Sequence, residues 1–380
     1  MPDRRYDLDW LRVLAFGVLI FFHSAVAFLP DGLPTTLNDT PSPPLSMFVA
    51  FSHQFRLGLL FMVSGMGVWF ALRHRTPRVY MRDRLTRLLV PLLFGILVVV
   101  PPMAWMELRY NGQFDGGFLE FWSGLFSHGT YPEGRLSWHH YWFITYLLVF
   151  CLISLPLLVR WQKSDSLAEV TRWTERGGNI YALIFPLFIA ELLLRPFFPG
   201  FRDLITDWAS FIHWLILFLA GYTLASHPVL LNRAQTLRWV SLGVACMSST
   251  VLFALFWNPE TLHLGPEADW TWLGAQRFTL WSAIRVVAIW CWLLACVGFA
   301  AQHLNWRSDL LGQLNRAVYP VFCLHLPVIV WLSTLILPLE WPIATKFLAI
   351  SLGTCVLLWV LYQGIVVRIG RFGLLVGYRP

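Results

Sequence analysis

His23 is the residue whose type and position most directly suggest chemistry. It closes an apolar run, Val13-Leu14-Ala15-Phe16-Gly17-Val18-Leu19-Ile20-Phe21-Phe22, that opens with Asp9-Trp10-Leu11-Arg12. An ionisable side chain is costly in hydrocarbon and is kept there where it works or is paired. Imidazole takes and gives protons near neutral pH, and its bare nitrogen can also attack a carbonyl carbon. General base and transient acyl carrier are both open at this stage. Asp9 and Arg12 are three residues apart on a helix and can pair. Arg12 lies eleven residues before His23, ~16 Å along the axis at the helical rise. The Asp9–Arg12 pair therefore belongs to the helix entrance, away from His23.

Three further places carry polar groups in an apolar setting. Arg84-Leu85-Thr86-Arg87 offers two guanidinium forks at i,i+3, a geometry suited to phosphate. Ordinary topological charge also accounts for them, because Arg73, Arg75, Arg78 and Arg82 precede them. Phe61-Met62-Val63-Ser64-Gly65-Met66-Gly67 supplies small residues for close helix packing. Arg56, just before it, calls for a cavity or a partner. Ser137-Trp138-His139-His140-Tyr141-Trp142-Phe143 opens another apolar stretch, and His325 sits in a late one. Adjacent histidines point in different directions, and no His-x-x-x-His or Glu-x-x-His spacing occurs, so no metal is expected. The six cysteines fall in apolar stretches without ligand spacing and read as small buried hydrophobes.

The elements that must position these groups are transmembrane helices. Of 380 residues, 57% are hydrophobic and only 13% charged, against about 25% charged in soluble domains. About ten stretches reach the roughly 20 residues needed to span a bilayer. They are residues 8–29, 46–72, 87–106, 139–160, 179–198, 208–226, 238–257, 279–302, 316–337 and 344–367. The stretch 179–198 is the most irregular, being interrupted by Glu191, Arg195 and Pro196. The first stretch carries Arg12 and His23 and has no small-residue cleavage pattern after it, so it reads as a retained helix. The expectation is an all-α polytopic membrane bundle, residues 1–380 forming a single transmembrane domain. The formal charge of +7 does not signal nucleic acid. Its basic residues concentrate in alternate connections, which puts both termini in the cytoplasm. The opposite loops interleave carboxylates with aromatics: Glu107, Asp115, Glu120, Trp122, Tyr131 and Glu133, then Glu260, His263, Glu267, Asp269, Trp270 and Trp272. That mixture suits sugar recognition, and equally suits an interfacial aromatic belt.

These residues resemble, in order and spacing, the membrane acyltransferase 3 family. The likeness is carried by Arg5-Tyr6-Asp7-Leu8-Asp9-Trp10-Leu11-Arg12 with His23 and by Phe61 to Gly65 as Phe-x-x-Ser-Gly. Arg84 to Arg87 with Pro91 and His140-Tyr141-Trp142-Phe143 continue it. Tyr319-Pro320-Val321-Phe322-Cys323-Leu324-His325 completes it, with Phe322 where the family carries a second tyrosine. The resemblance covers nearly the whole chain. It implies a ten-helix bundle that moves an acyl group, commonly acetyl or succinyl, from cytoplasmic acyl-CoA to a carbohydrate hydroxyl on the other face. It implies His23 as the catalytic residue and Arg84 and Arg87 as acyl-CoA ligands. Asp9 and Arg12 would shape the donor entrance, with Arg56, His140, Trp142 and His325 supporting substrate. The implied partners are acyl-CoA, a carbohydrate acceptor and the lipid bilayer of a bacterial inner membrane. No hydrolase-like domain is seen after residue 368, so transfer is expected within the membrane domain. The competing reading is a carrier or exporter without acyl chemistry, which embedded Arg and His also suit.

Overall fold

The computed structural model describes residues 5–379 apart from 31, 33–37, 128, 130–133, 164–171, 175, 177, 199, 201–203, 205 and 267–270. The chain is helical almost throughout. Among the described residues the one sheet is a two-residue hairpin, Trp257–Asn258 antiparallel to His263–Leu264. Among the described residues, eight helices are long and apolar enough to cross a membrane: α1 (Tyr6–Val26), α2 (Pro43–His74), α3 (Pro77–Tyr110), α6 (Trp208–Ser226), α7 (Arg238–Phe256), α8 (Trp272–His303), α9 (Asp309–Ile336) and α10 (Ile343–Val366). The two remaining stretches of the expected ten take other forms. α4 is a pair, His139–Ile153 and Leu155–Lys163, bent by 49°. α5 (Asn179–Leu194) is shorter, its first turns wound as a 3₁₀ helix over Asn179–Ile184. The chain is thus a multi-pass all-α membrane protein.

Prolines set the internal form of the long helices. α3 changes winding along its length: a π turn at Leu85–Leu89, an α segment at Val90–Phe94, and a second π turn at Gly95–Val99. Pro91 has no N–H for the Arg87 carbonyl and Pro101 none for Leu97. The Leu97 carbonyl instead accepts from the Trp122 indole at 2.9 Å. Such π turns recur at functional sites. α9 holds Pro320 and Pro327 within its length, which frees two more carbonyls.

Two compact units share the chain. Unit 1 comprises Met1–Ala15, Ala50–Asp83 and Val149–Leu311; unit 2 comprises Phe16–Val49, Arg84–Leu148 and Gly312–Pro380. In unit 1, α2 and α6 approach to backbone contact at paired glycines. A Cβ on Gly65 would run into the Phe218 carbonyl, and one on Gly221 into the Met62 carbonyl. This is the close packing expected of the small residues near Gly65. Caps are explicit here: Asp207 accepts from Ser210 N at 2.9 Å to start α6, and Thr271 accepts from Gly274 N at 3.1 Å to start α8. In unit 2, Phe22, Ala25 and Val49 form a buried cluster with Phe347 packed against it. Gly95 lies so close to the Tyr141 ring that a Cβ would enter it. Of the cysteines, Cys151, Cys291 and Cys323 are buried as expected, whereas Cys246 is exposed on α7.

Candidate active site

Unit 2 brings three of the sequence-selected histidines together. His325 sits on α9, and its Nδ1 is 2.7 Å from the Phe322 carbonyl oxygen. A carbonyl only accepts, so Nδ1 carries the hydrogen. The Nε2 of neutral His325 is then an acceptor, and it lies 3.0 Å from His23 Nδ1. His23 must donate from Nδ1, which leaves its Nε2 as the bare nitrogen. The order Phe322 carbonyl, His325, His23 therefore fixes a tautomer two residues away from where it is anchored.

His140 is anchored on the same helix by a different carbonyl. Its Nε2 is 3.2 Å from the Cys323 oxygen, and the Tyr141 hydroxyl donates to that oxygen at 3.1 Å. Pro327 is the reason the oxygen is available, because the residue four ahead of Cys323 has no N–H to give. With Nε2 donating, His140 Nδ1 is bare, and it has no hydrogen-bond partner among the described residues. The His140 and His325 rings meet edge to face at 5.1 Å. His139 turns the other way, as adjacent histidines were expected to, and its Nε2 lies 3.7 Å from Glu107. Its φ of 38° places it in the left-handed region, a strain found where a chain must aim a neighbour. Phe16, Phe143 and Phe322 wall the group with ring contacts of 5.7 and 5.8 Å. An apolar wall strengthens every polar interaction inside it.

Arg84 and Arg87 lie toward the other end of unit 2. The π turn at Leu85–Leu89 changes the simple i,i+3 stacking expected of an α-helix. Tyr319 precedes His325 by six residues on α9. Trp142 packs its ring on Tyr146 at 5.5 Å. Arg56, Asp9 and Arg12 belong to unit 1. There Arg12 and Asp9 form an ion pair at 4.0 Å, and Arg56 is only 2% exposed.

The model of an acyltransferase domain matches residues 5–362. This chain belongs to the membrane acyltransferase 3 family. Proteins named glucans biosynthesis protein C from Salmonella heidelberg (strain SL476), Salmonella agona (strain SL483) and Salmonella schwarzengrund (strain CVM19633) are similar to it. Each is 22% identical over 347 residues, covering 88% of this chain and 85% of the relative. No solved structure matches. The protein is a membrane-embedded acyltransferase.

Unit 1 of this acyltransferase holds a polar cluster that sequence reasoning did not select. Glu191 is 1% exposed and accepts from His213 Nδ1 at 2.6 Å, from Arg195 at 3.2 Å through both oxygens, and from Arg285 at 2.8 Å. Arg195 reaches on to Ser210 Oγ at 3.3 Å and Asp207 at 3.9 Å. The charges that seemed only to interrupt the stretch 179–198 thus tie α5, α6 and α8 together. Tyr141, Tyr319 and the Cys323 carbonyl were also missed as site groups, although the family-like motifs contain all three. Tyr131, Glu133, Glu267, Asp269 and Trp270 lie outside the described residues.

Proposed function

We propose that this acyltransferase transfers an acetyl or succinyl group from acyl-CoA on the cytoplasmic side to a carbohydrate hydroxyl on the opposite face of a bacterial inner membrane. The names of its relatives suggest a glucan as acceptor. The observation that carries the reading is the His23–His325 contact, because it leaves one oriented, bare imidazole nitrogen in an apolar surround. His23 Nε2 acts as general base. It takes the proton of the acceptor hydroxyl as the oxygen attacks the thioester carbonyl. The C–O bond forms, the C–S bond breaks, and the proton passes to the leaving thiolate sulfur. During the step His23 is an imidazolium whose Nδ1–H still donates to His325. That N–H···N contact gives the incoming proton a second nitrogen, which suits a base. Such positioned proton transfer contributes about 10²–10⁴-fold in rate. Arg84 and Arg87 hold the phosphates of the donor, and His140 Nδ1 stands as a second buried acceptor for a hydroxyl.

The test is free-thiol release by purified protein given acetyl-CoA or succinyl-CoA with a glucan acceptor. Wild type is expected to release thiol and His23→Ala to lose release. No release from wild type with either donor, together with no coenzyme A binding, would return the protein to the carrier reading.

A further inference from the structure

A lysine near the end of a membrane helix ordinarily stretches its ammonium to water. Lys346, one turn into α10, does the reverse and is only 8% exposed. Its Nζ donates to the Leu337 carbonyl at 2.7 Å and to Asn38 Oδ1 at 3.1 Å. Asn38 is itself held in place. Its Nδ2 donates to the Thr40 carbonyl at 2.8 Å, and its backbone N–H donates to the Ala27 carbonyl at 3.0 Å. The ammonium therefore sits between the connection that follows α1 and the one that follows α9, all within unit 2.

An ammonium has three N–H groups, and here two are used. Both acceptors are neutral, and Lys346 forms no ion pair among the described residues. Two carboxylates of the same connections, Asp39 and Glu340, are exposed; Asp31 lies outside the described residues. A buried cation is kept where an anion meets it. Two hydroxyls of the same helices are in a like condition. Within a helix, serine and threonine can return their proton to the carbonyl four residues back, as Ser351 does to Phe347 at 2.6 Å. Ser333 and Thr354 are fully buried and have no hydrogen-bond partner among the described residues. Ser333 lies one turn before Leu337, and Thr354 shares the buried face of α10 with Lys346. The two helices touch beside them, where a Cβ on Gly353 would stand 3.3 Å from Leu332.

Length decides which substrate could bring the anion. Leu337 follows His325 by twelve residues, ~18 Å at the helical rise. A succinyl chain on a thioester beside His23 is far shorter than that. An acceptor of several sugar units spans it. We propose that Lys346 marks an outer acceptor subsite, its third N–H taking a carboxylate or phosphate substituent of an oligosaccharide whose hydroxyl is acylated at His23. Ser333 and Thr354 meet sugar hydroxyls between the two points. The proposal rests on the acyl-transfer reading above and narrows its acceptor from a carbohydrate to an acidic one.

The experiment titrates neutral, carboxymethylated and phosphorylated gluco-oligosaccharides of equal length into protein in phosphatidylcholine nanodiscs, and follows thiol release with acetyl-CoA and with succinyl-CoA. Wild type is expected to bind the acidic chains more tightly than the neutral one. Lys346→Met should weaken the acidic chains about ten- to hundredfold, the scale of a charge-assisted hydrogen bond, and leave the neutral chain and the KM for acyl-CoA near wild type. Lys346→Arg should keep the preference. Asn38→Asp sets a carboxylate against the ammonium and should abolish the preference with the thermal transition intact. Equal binding of acidic and neutral chains by wild type overturns the proposal, as does an equal loss of both in Lys346→Met. So does a gain in acidic-chain affinity in Asp31→Asn, Asp39→Asn or Glu340→Gln that disappears when Lys346→Met is added, because the ammonium would then already serve that carboxylate. If Lys346→Met raises the KM for succinyl-CoA but not for acetyl-CoA, the anion is the acyl group's and the proposal falls. It falls too if the variant loses bound phosphatidylglycerol by native mass spectrometry while acidic-chain affinity holds, which would assign the ammonium to a headgroup. Oligosaccharide binding that follows the expected pattern without thiol release by wild type would sink the acyl-transfer reading alone.

Discussion

The Nε2 of His325 stands 3.0 Å from the Nδ1 of His23, across 302 positions of sequence. The relationship makes a prediction that a merely structural histidine would not. His325→Ala should lower kcat about 10²-fold while leaving coenzyme A affinity near wild type. His325→Gln, whose side-chain oxygen can still accept from His23 Nδ1, should restore part of the rate. A wild-type kcat in His325→Ala would remove His325 from the mechanism.

With His23 as base, donor alone leaves the enzyme unmodified. Intact-mass measurement after mixing acyl-CoA with protein, without acceptor, is expected to show no acyl adduct on the chain. An adduct that vanishes in His23→Ala would reassign Nε2 from base to nucleophile.

Glu191 accepts from three cationic or imidazole side chains at once, so its removal strands buried charge. Glu191→Ala should destabilise the protein by about 3–5 kcal/mol, read as a fall in the midpoint of thermal unfolding. Glu191→Gln, which keeps the shape and accepts through one oxygen only, should fall less. Unchanged midpoints in both variants would mean the cluster is dispensable.

The α2–α6 crossing gives a prediction of the opposite kind, because it concerns packing without charge. Gly65→Ala and Gly221→Ala each put a methyl group into a facing carbonyl. Overpacking of this sort costs about 1–3 kcal/mol. The loss should appear in thermal stability, with coenzyme A affinity of the folded fraction unaltered. The double variant should cost less than the sum of the two singles, because the first methyl already forces the helices apart.

The helical stretches were readable because apolar length is a local property. Gly65 was readable as a packing residue for the same reason. His23 stood out because one imidazole at the end of an otherwise apolar run has no cheap explanation. What could not be read were partners. Nothing near His23 in sequence points to His325, and nothing near Glu191 points to Arg285, 94 residues on. In one dimension Glu191 and Arg195 merely spoiled a hydrophobic stretch. The bend in α4 and the π turns in α3 escaped as well, although Pro91 and Pro101 mark where the α winding loses its donors.

The anchors of His325 and His140 are main-chain oxygens, those of Phe322 and Cys323. Every amino acid brings the same oxygen to its position. The side chains at 322 and 323 can therefore be exchanged without removing either anchor, provided the proline at 327 keeps the second carbonyl vacant. Position 322 is also where this chain carries phenylalanine in place of the tyrosine of related motifs. The departure from the pattern falls at a site whose bond to His325 is indifferent to spelling.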